Sequence, residues 1–110
     1  MASEQVHEFT DANFESEVLS GERPVLVDFW AEWCMPCRML SPTIDALAGE
    51  MGETAKVGKL DTDANRETAV KYQISAIPTV LIFKGGELHK RFTGIASKED
   101  LAAALQSAAG

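Results

Sequence analysis

Val25-Leu26-Val27-Asp28-Phe29-Trp30, continuing as Ala31-Glu32-Trp33-Cys34-Met35-Pro36-Cys37, is the stretch on which the fold turns. Its first half is apolar but for one acid. Such a run suits a strand buried on both faces, as in a parallel sheet. Beyond the cysteines, Leu40, Ile44, Leu47 and Met51 recur at helical spacing, which predicts a long amphipathic helix. Pro42 falls inside that helix and is expected to kink it, and Gly49 and Gly52 mark its end. A Cys-x-Pro-Cys lying between a buried strand and a long helix points to redox chemistry far more strongly than a bare cysteine pair.

The chemistry follows from that junction. The first turn of a helix carries N–H groups without intrahelical partners and the positive end of the helix dipole. Both favour an anion, so a thiol placed there has a lowered pKa and a larger thiolate fraction. Cys34 stands at the helix start and is read as the exposed nucleophile. Cys37 lies one turn deeper, is read as shielded, and resolves the intermediate. Their spacing allows the sulfurs to bond when oxidised. Pro36 falls in the first turn, where its missing N–H costs little.

Outward from this segment, Val6 to Phe9 reads as a short strand. Thr10 and Asp11 offer capping oxygens to a helix carrying Phe14 and Val18, and Gly21 and Pro24 bracket a turn. Ala55 to Asp61 reads as a strand, with Asp61, Thr62 and Asp63 as caps for a short helix through Tyr72. Thr79 to Phe83 is rich in β formers, and Gly85-Gly86 turns it into a strand from Leu88 to Thr93. Ser97-Lys98-Glu99-Asp100 resembles a capping box before a helix with Leu101, Leu105 and Ala108 on its apolar stripe. The order is strand, helix, strand, helix, strand, helix, strand, strand, helix. It predicts an α/β protein with helices on both faces of a mixed sheet.

The totals fit this reading. The chain has 110 residues, which suits a single domain over residues 1–110 with a core of its own. Ten basic against 17 acidic residues leave a net charge of −7, which repels phosphate backbones and argues against nucleic acid as a partner. The same charge favours a soluble monomer. No apolar run approaches the roughly 20 residues that span a membrane. Met1-Ala2-Ser3-Glu4-Gln5 has no basic or apolar character of a secretory signal, so the expected location is the cytoplasm. Two cysteines are too few for a disulfide scaffold, and in a reducing compartment a close pair is catalytic or metal-binding. A structural zinc would need His7 and His89 as further ligands, and neither has ligand spacing. An inert disulfide closing so short a loop would add little stability.

The segment Val27 to Cys37 resembles the active-site segment of the thioredoxin family. The resemblance continues through Lys59-Leu60-Asp61, Ile77-Pro78-Thr79, Phe83-Lys84-Gly85-Gly86 and Gly94, and covers essentially the whole chain. It implies a central five-stranded mixed sheet flanked by four helices. It also implies a protein-disulfide reductase that binds no cofactor of its own and is recharged by a thioredoxin reductase carrying flavin (FAD) and NADPH. One departure stands out: Met35 occupies a position where the family typically has Gly. The dipeptide between the cysteines influences redox poise, so the potential is expected to differ from a typical member.

Asp28, the odd residue of its strand, is either a surface-facing acid or a buried one, and its apolar neighbours favour burial, which raises its pKa. Its functional role would be proton acceptor or relay for Cys37. The resemblance implies an Asp buried beneath the active site, with Lys59 as the partner that tunes it; taken alone, Lys59 reads as an exposed strand charge. Ile77-Pro78 is by base rate a trans bond at a strand entrance, whereas the resemblance implies a cis bond facing the cysteines, in a loop whose backbone pairs with extended substrate. Trp33 is read as an apolar rim of the site and Trp30 as a packing residue. Gly94 allows close approach of substrate backbone or is a plain turn glycine. Trp33, Met35, Pro36, Ile77, Pro78 and Gly94 form the expected substrate-binding set. Two other functions are conceivable on these residues: a disulfide oxidant or isomerase, which would call for a signal segment and often an added domain, and a non-catalytic subunit that docks a partner in the same groove.

Overall fold

The computed structural model describes residues 5–110; the first four residues, part of the stretch read for an export signal, lie outside the described residues. Alternation along the central strand decides the layering. In β2 (Val25–Trp30), Val25, Val27 and Phe29 face one side, and Leu26, Asp28 and Trp30 face the other. The first face packs with Phe9, Phe14, Val18, Leu60, Leu81 and Phe83. On the second, Leu26 joins Leu40, Ile44 and Leu47 of α1 (Met35–Met51) and Leu101 and Leu105 of α3 (Lys98–Ala109). Burial on both faces explains why β2 reads as a continuous apolar run.

The sheet has five strands in the order β1-β3-β2-β4-β5, with β1 His7–Glu8, β3 Lys56–Asp61, β4 Thr79–Lys84 and β5 Glu87–Thr93. β3 runs parallel to both β1 and β2, whereas β4 is antiparallel to β2 and to β5. A π-helix (Glu15–Leu19) and α2 (Arg66–Lys71) complete the four helices. This is the mixed five-stranded sheet with four flanking helices that the resemblance implied. Most strand and helix ends fall within a residue or two of the sequence reading. Gly52 ends α1 with φ 54°, and the Ser97 side chain accepts the Asp100 N–H to start α3.

The caps are distributed differently from the expectation. Thr10 Oγ1 accepts the Asn13 N–H at 3.1 Å and Asn13 Oδ1 accepts the Thr10 N–H at 2.7 Å, holding the turn before the π-helix. Asp11 does not cap that helix. Its carboxylate accepts the Thr68 N–H at 2.9 Å, the Thr68 hydroxyl at 2.7 Å and the Glu67 N–H at 3.3 Å. It therefore serves the first turn of α2 from a distant part of the chain. Asp61, Thr62 and Asp63 do not cap α2, which begins only at Arg66. Asp61 Oδ1 instead accepts the Asp63 and Ala64 N–H groups and closes a local turn.

Candidate functional site

β2 ends at Trp30, and three residues of turn carry the chain to Cys34, the N-cap of α1. Cys34 is extended, at φ −90° and ψ 105°, and its sulfur accepts the Cys37 N–H at 3.2 Å. The sulfur thus occupies the place a serine or aspartate oxygen takes at other helix starts, against an orphan amide and the positive end of the dipole. Pro36 falls in the first turn, where no donor is missed. Cys34 and Cys37 are joined in a disulfide with Cα atoms 5.3 Å apart.

The expected exposure of Cys34 is not found: both cysteines are 3% exposed. The Cys34 sulfur, bonded to Cys37 and capping the helix, lies inside, where the pair packs with Ala31, Trp30 and Ile77. The Cys34 sulfur lies 3.8 Å from the Ile77 carbonyl oxygen. In this oxidised state the two cysteines differ in electrostatic setting rather than in exposure. The exposed groups are their neighbours, Trp33 at 71% and Met35 at 67%, with Met39 one turn along α1 from Met35.

Asp28 is fully buried, on the sheet face that α1 covers, and neither carboxyl oxygen has a hydrogen-bond partner. Burial pushes its pKa up and the Lys59 charge pulls it partway back, leaving it at about 7. Lys59 stands beside it on β3 in the strand register. The Lys59 ammonium donates to Ser41 Oγ of α1 at 2.6 Å and lies 5.7 Å from the centre of the Trp30 ring.

The Ile77–Pro78 bond is cis. Ile77 packs against the cysteine pair, and the Pro78 carbonyl accepts the Gly94 N–H at 2.8 Å. Gly94 has φ 93°, in the region that L side chains rarely adopt. Beside the disulfide is a cavity of about 350 Å3 lined by Trp33, Thr62, Ile74, Ser75, Ala76 and Ile77. Trp33, Pro36, Ile77, Pro78 and Gly94 therefore come from three separate segments, and the fold brings the first of these segments and the Ile77 loop together at the disulfide.

Two contacts at the site escaped the sequence reading, which placed Asp63 among the caps of α2 and gave Ser41 no role. Asp63 Oδ2 accepts the Trp33 indole N–H at 2.8 Å and fixes the exposed ring. Ser41 holds the Lys59 ammonium. A signal for Ser41 existed: it lies four residues after Cys37, and so on the same helical face. Asp63 had none beyond its place in an acidic turn. His7 and His89 lie on β1 and β5, at opposite edges of the sheet. Among the described residues, no group of three or more His, Cys, Asp or Glu is placed to hold a metal ion, and no helix is long and apolar enough to cross a membrane.

The family model described as Thioredoxin matches residues 5–107. The chain is 45% identical over 105 residues to a thioredoxin of Pseudomonas aeruginosa, covering 96% of this chain and 97% of that one. It is 48% identical over 100 residues to a thioredoxin of Porphyra purpurea, covering 91% and 94% of the two chains. A bifunctional thioredoxin reductase/thioredoxin of Mycobacterium leprae is 47% identical over 94 residues, which are 86% of this chain and 20% of that protein.

Proposed function

The chain belongs to the thioredoxin family, and on that footing we propose how its residues divide the work of a thiol–disulfide oxidoreductase that reduces protein disulfides. In the dithiol form, the Cys34 thiolate attacks one sulfur of a substrate disulfide. A mixed disulfide forms and the first substrate sulfur leaves as a thiolate. Cys37 then gives its proton to Asp28 and attacks the Cys34 sulfur. The Cys34–Cys37 disulfide forms, and the second substrate sulfur leaves. Two electrons have passed from the protein pair to the substrate. The disulfide-bonded state described above is the oxidised end of this cycle.

The observation that carries the assignment is the Cys34 sulfur sitting on the Cys37 amide at 3.2 Å, because that amide and the helix dipole stabilise a thiolate at Cys34. Asp28 suits a proton acceptor because its pKa of about 7 lies near working pH, and Lys59 tunes it. Trp33, Met35, Pro36, Ile77, Pro78 and Gly94 form the surface that receives an extended segment of the substrate. The cofactors are borne by the partner: a thioredoxin reductase with FAD and NADPH returns the pair to the dithiol. A relative whose name joins reductase and thioredoxin supports that pairing. The chain works as a monomeric electron donor of the cytoplasm in redox homeostasis, its charge of −7 keeping copies apart. Reduction of insulin disulfides with NADPH and a thioredoxin reductase tests the whole scheme. Turnover that disappears in Cys34→Ser is expected, and absence of turnover in the unaltered protein refutes it.

A further inference from the structure

Lys59 is held by a group that the scheme above leaves without a role. It stands beside Asp28 in the strand register, yet its ammonium donates to Ser41 Oγ at 2.6 Å rather than to either Asp28 oxygen. On its outer side Lys59 lines a cavity of about 400 Å3 together with His7, Glu8, Trp30, Glu32 and Asp61. Three carboxylates therefore share that cavity with Lys59, and their charges favour an ammonium turned towards them. Ser41, on α1, draws it the other way. The anchor is a neutral acceptor, which matters: a carboxylate in its place would cancel the ammonium's charge and weaken its field at Asp28, whereas a hydroxyl fixes the position and leaves the charge intact.

We propose that Ser41 is a positioning residue for the reduction: its hydroxyl holds the Lys59 ammonium beneath α1, facing Asp28, and so sets the pH at which Asp28 accepts the Cys37 proton. The proposal rests on the reading of Asp28 as that acceptor. The surroundings leave Lys59 as the source of the effect. From β3, the charge acting on Asp28 is Lys59. From β4, its cross-strand neighbour is the uncharged Val80. On α1, the buried titratable group is Cys37, which carries no charge while bonded to Cys34. The titratable groups that line the cavity with Lys59 are Glu8, its register partner on β1, Glu32 before α1, Asp61 of β3 and, from the opposite face of β1, His7.

Ser41→Ala removes the anchor and keeps a good helix former at the position. Ser41→Thr keeps the hydroxyl. The Asp28 carboxyl carbon, followed by NMR in the oxidised protein, reports the titration directly, and single-turnover reduction of a protein disulfide across pH reports the second step. In Ser41→Ala, the Asp28 midpoint is expected to rise by about half a pH unit, roughly a threefold change in proton affinity. The pH profile of the second step is expected to move by the same amount, and Ser41→Thr to restore both. A midpoint that stays in place or falls in Ser41→Ala overturns the proposal. Asp28→Asn separates the two ideas. If that variant keeps the unaltered pH profile, Asp28 is not the acceptor and the proposal falls with that reading; if it loses the profile while Ser41→Ala leaves the midpoint in place, only the role of Ser41 is refuted.

Discussion

Replacing Asp28 with Asn should make the oxidised protein more stable as pH rises, and the size of the gain can be worked from the site. The carboxyl is buried with no hydrogen-bond partner, and its pKa stands at about 7 against an ordinary 3.8. Below about pH 4 the acid is protonated in both folded and unfolded chains, so it adds no pH-dependent term. Between pH 4 and 7 the unfolded chain ionises while the folded one holds its proton, and stability is lost steadily as pH rises. Above the folded pKa the loss levels off. Three pKa units at about 1.4 kcal/mol each give a penalty of about 4 kcal/mol. Asn has nearly the same shape and no charge, so the variant escapes this loss. Its own buried amide adds a constant cost of about 1–3 kcal/mol, which does not depend on pH. The decisive quantity is therefore the slope. Urea unfolding of the oxidised Asp28→Asn and unaltered proteins at pH 4, 6 and 8 measures it. The stability difference between them should swing by about 4 kcal/mol in favour of the variant from the lowest to the highest pH. A difference that stays flat across that range would show that Asp28 is solvated or paired in solution, and the proton-acceptor role would lose its physical basis. In the same variant, stopped-flow reduction of a protein disulfide should show the second step slowed more than the first.

Three further outcomes are expected. Met35→Gly should shift the redox potential of the Cys34–Cys37 pair by about 10–30 mV, since the residue between the cysteines sits in the first turn of α1; equilibration with a glutathione buffer measures it, and a shift within error refutes it. Asp11→Ala should cost about 1 kcal/mol by uncapping α2. The Thr68 hydroxyl, foremost, holds the Asp11 carboxyl below its ordinary pKa, so this contribution should be present above the ordinary carboxylate range and fade as pH falls through the folded value, which denaturation at pH 7 and pH 3 would reveal. Gly58→Ala should destabilise by about 1–3 kcal/mol, because a Cβ there would lie 2.4 Å from the Phe9 ring and 2.7 Å from the His7 carbonyl oxygen; an unchanged urea midpoint would show that Phe9 moves aside freely.

Much of the fold was legible because it depends on neighbours a few residues apart. The apolar run of β2, the helical spacing of Leu40, Ile44, Leu47 and Met51, and the glycine pair before β5 all announce local structure. The cysteine chemistry was legible for the same reason: a thiol at the N-cap of a helix meets the amide three residues on, whatever the rest of the chain does. Apart from Asp61, Thr62 and Asp63, whose cap reading gave way to a local turn, what was misread involves partners far away in the chain. Asp11 had the right chemistry for a cap, but its helix begins 55 residues later. Cys34 was expected at the surface, and Ile77, brought alongside by the loop before β4, covers it.

By itself, the sequence determined that a buried strand delivers two cysteines to the start of a helix, and hence what reaction the protein performs. That much rests on periodicity and on the main-chain chemistry of a helix end. Only the tertiary structure decided which further groups meet around the site: Ser41 on Lys59 and Asp63 on Trp33, with Lys59 beside Asp28 as the resemblance implied. Each of these depends on which segments lie side by side, and on a register that one residue's slip would turn to the opposite face. Electrostatic and hydrogen-bond energies depend on those through-space distances, and separation along the chain does not encode them.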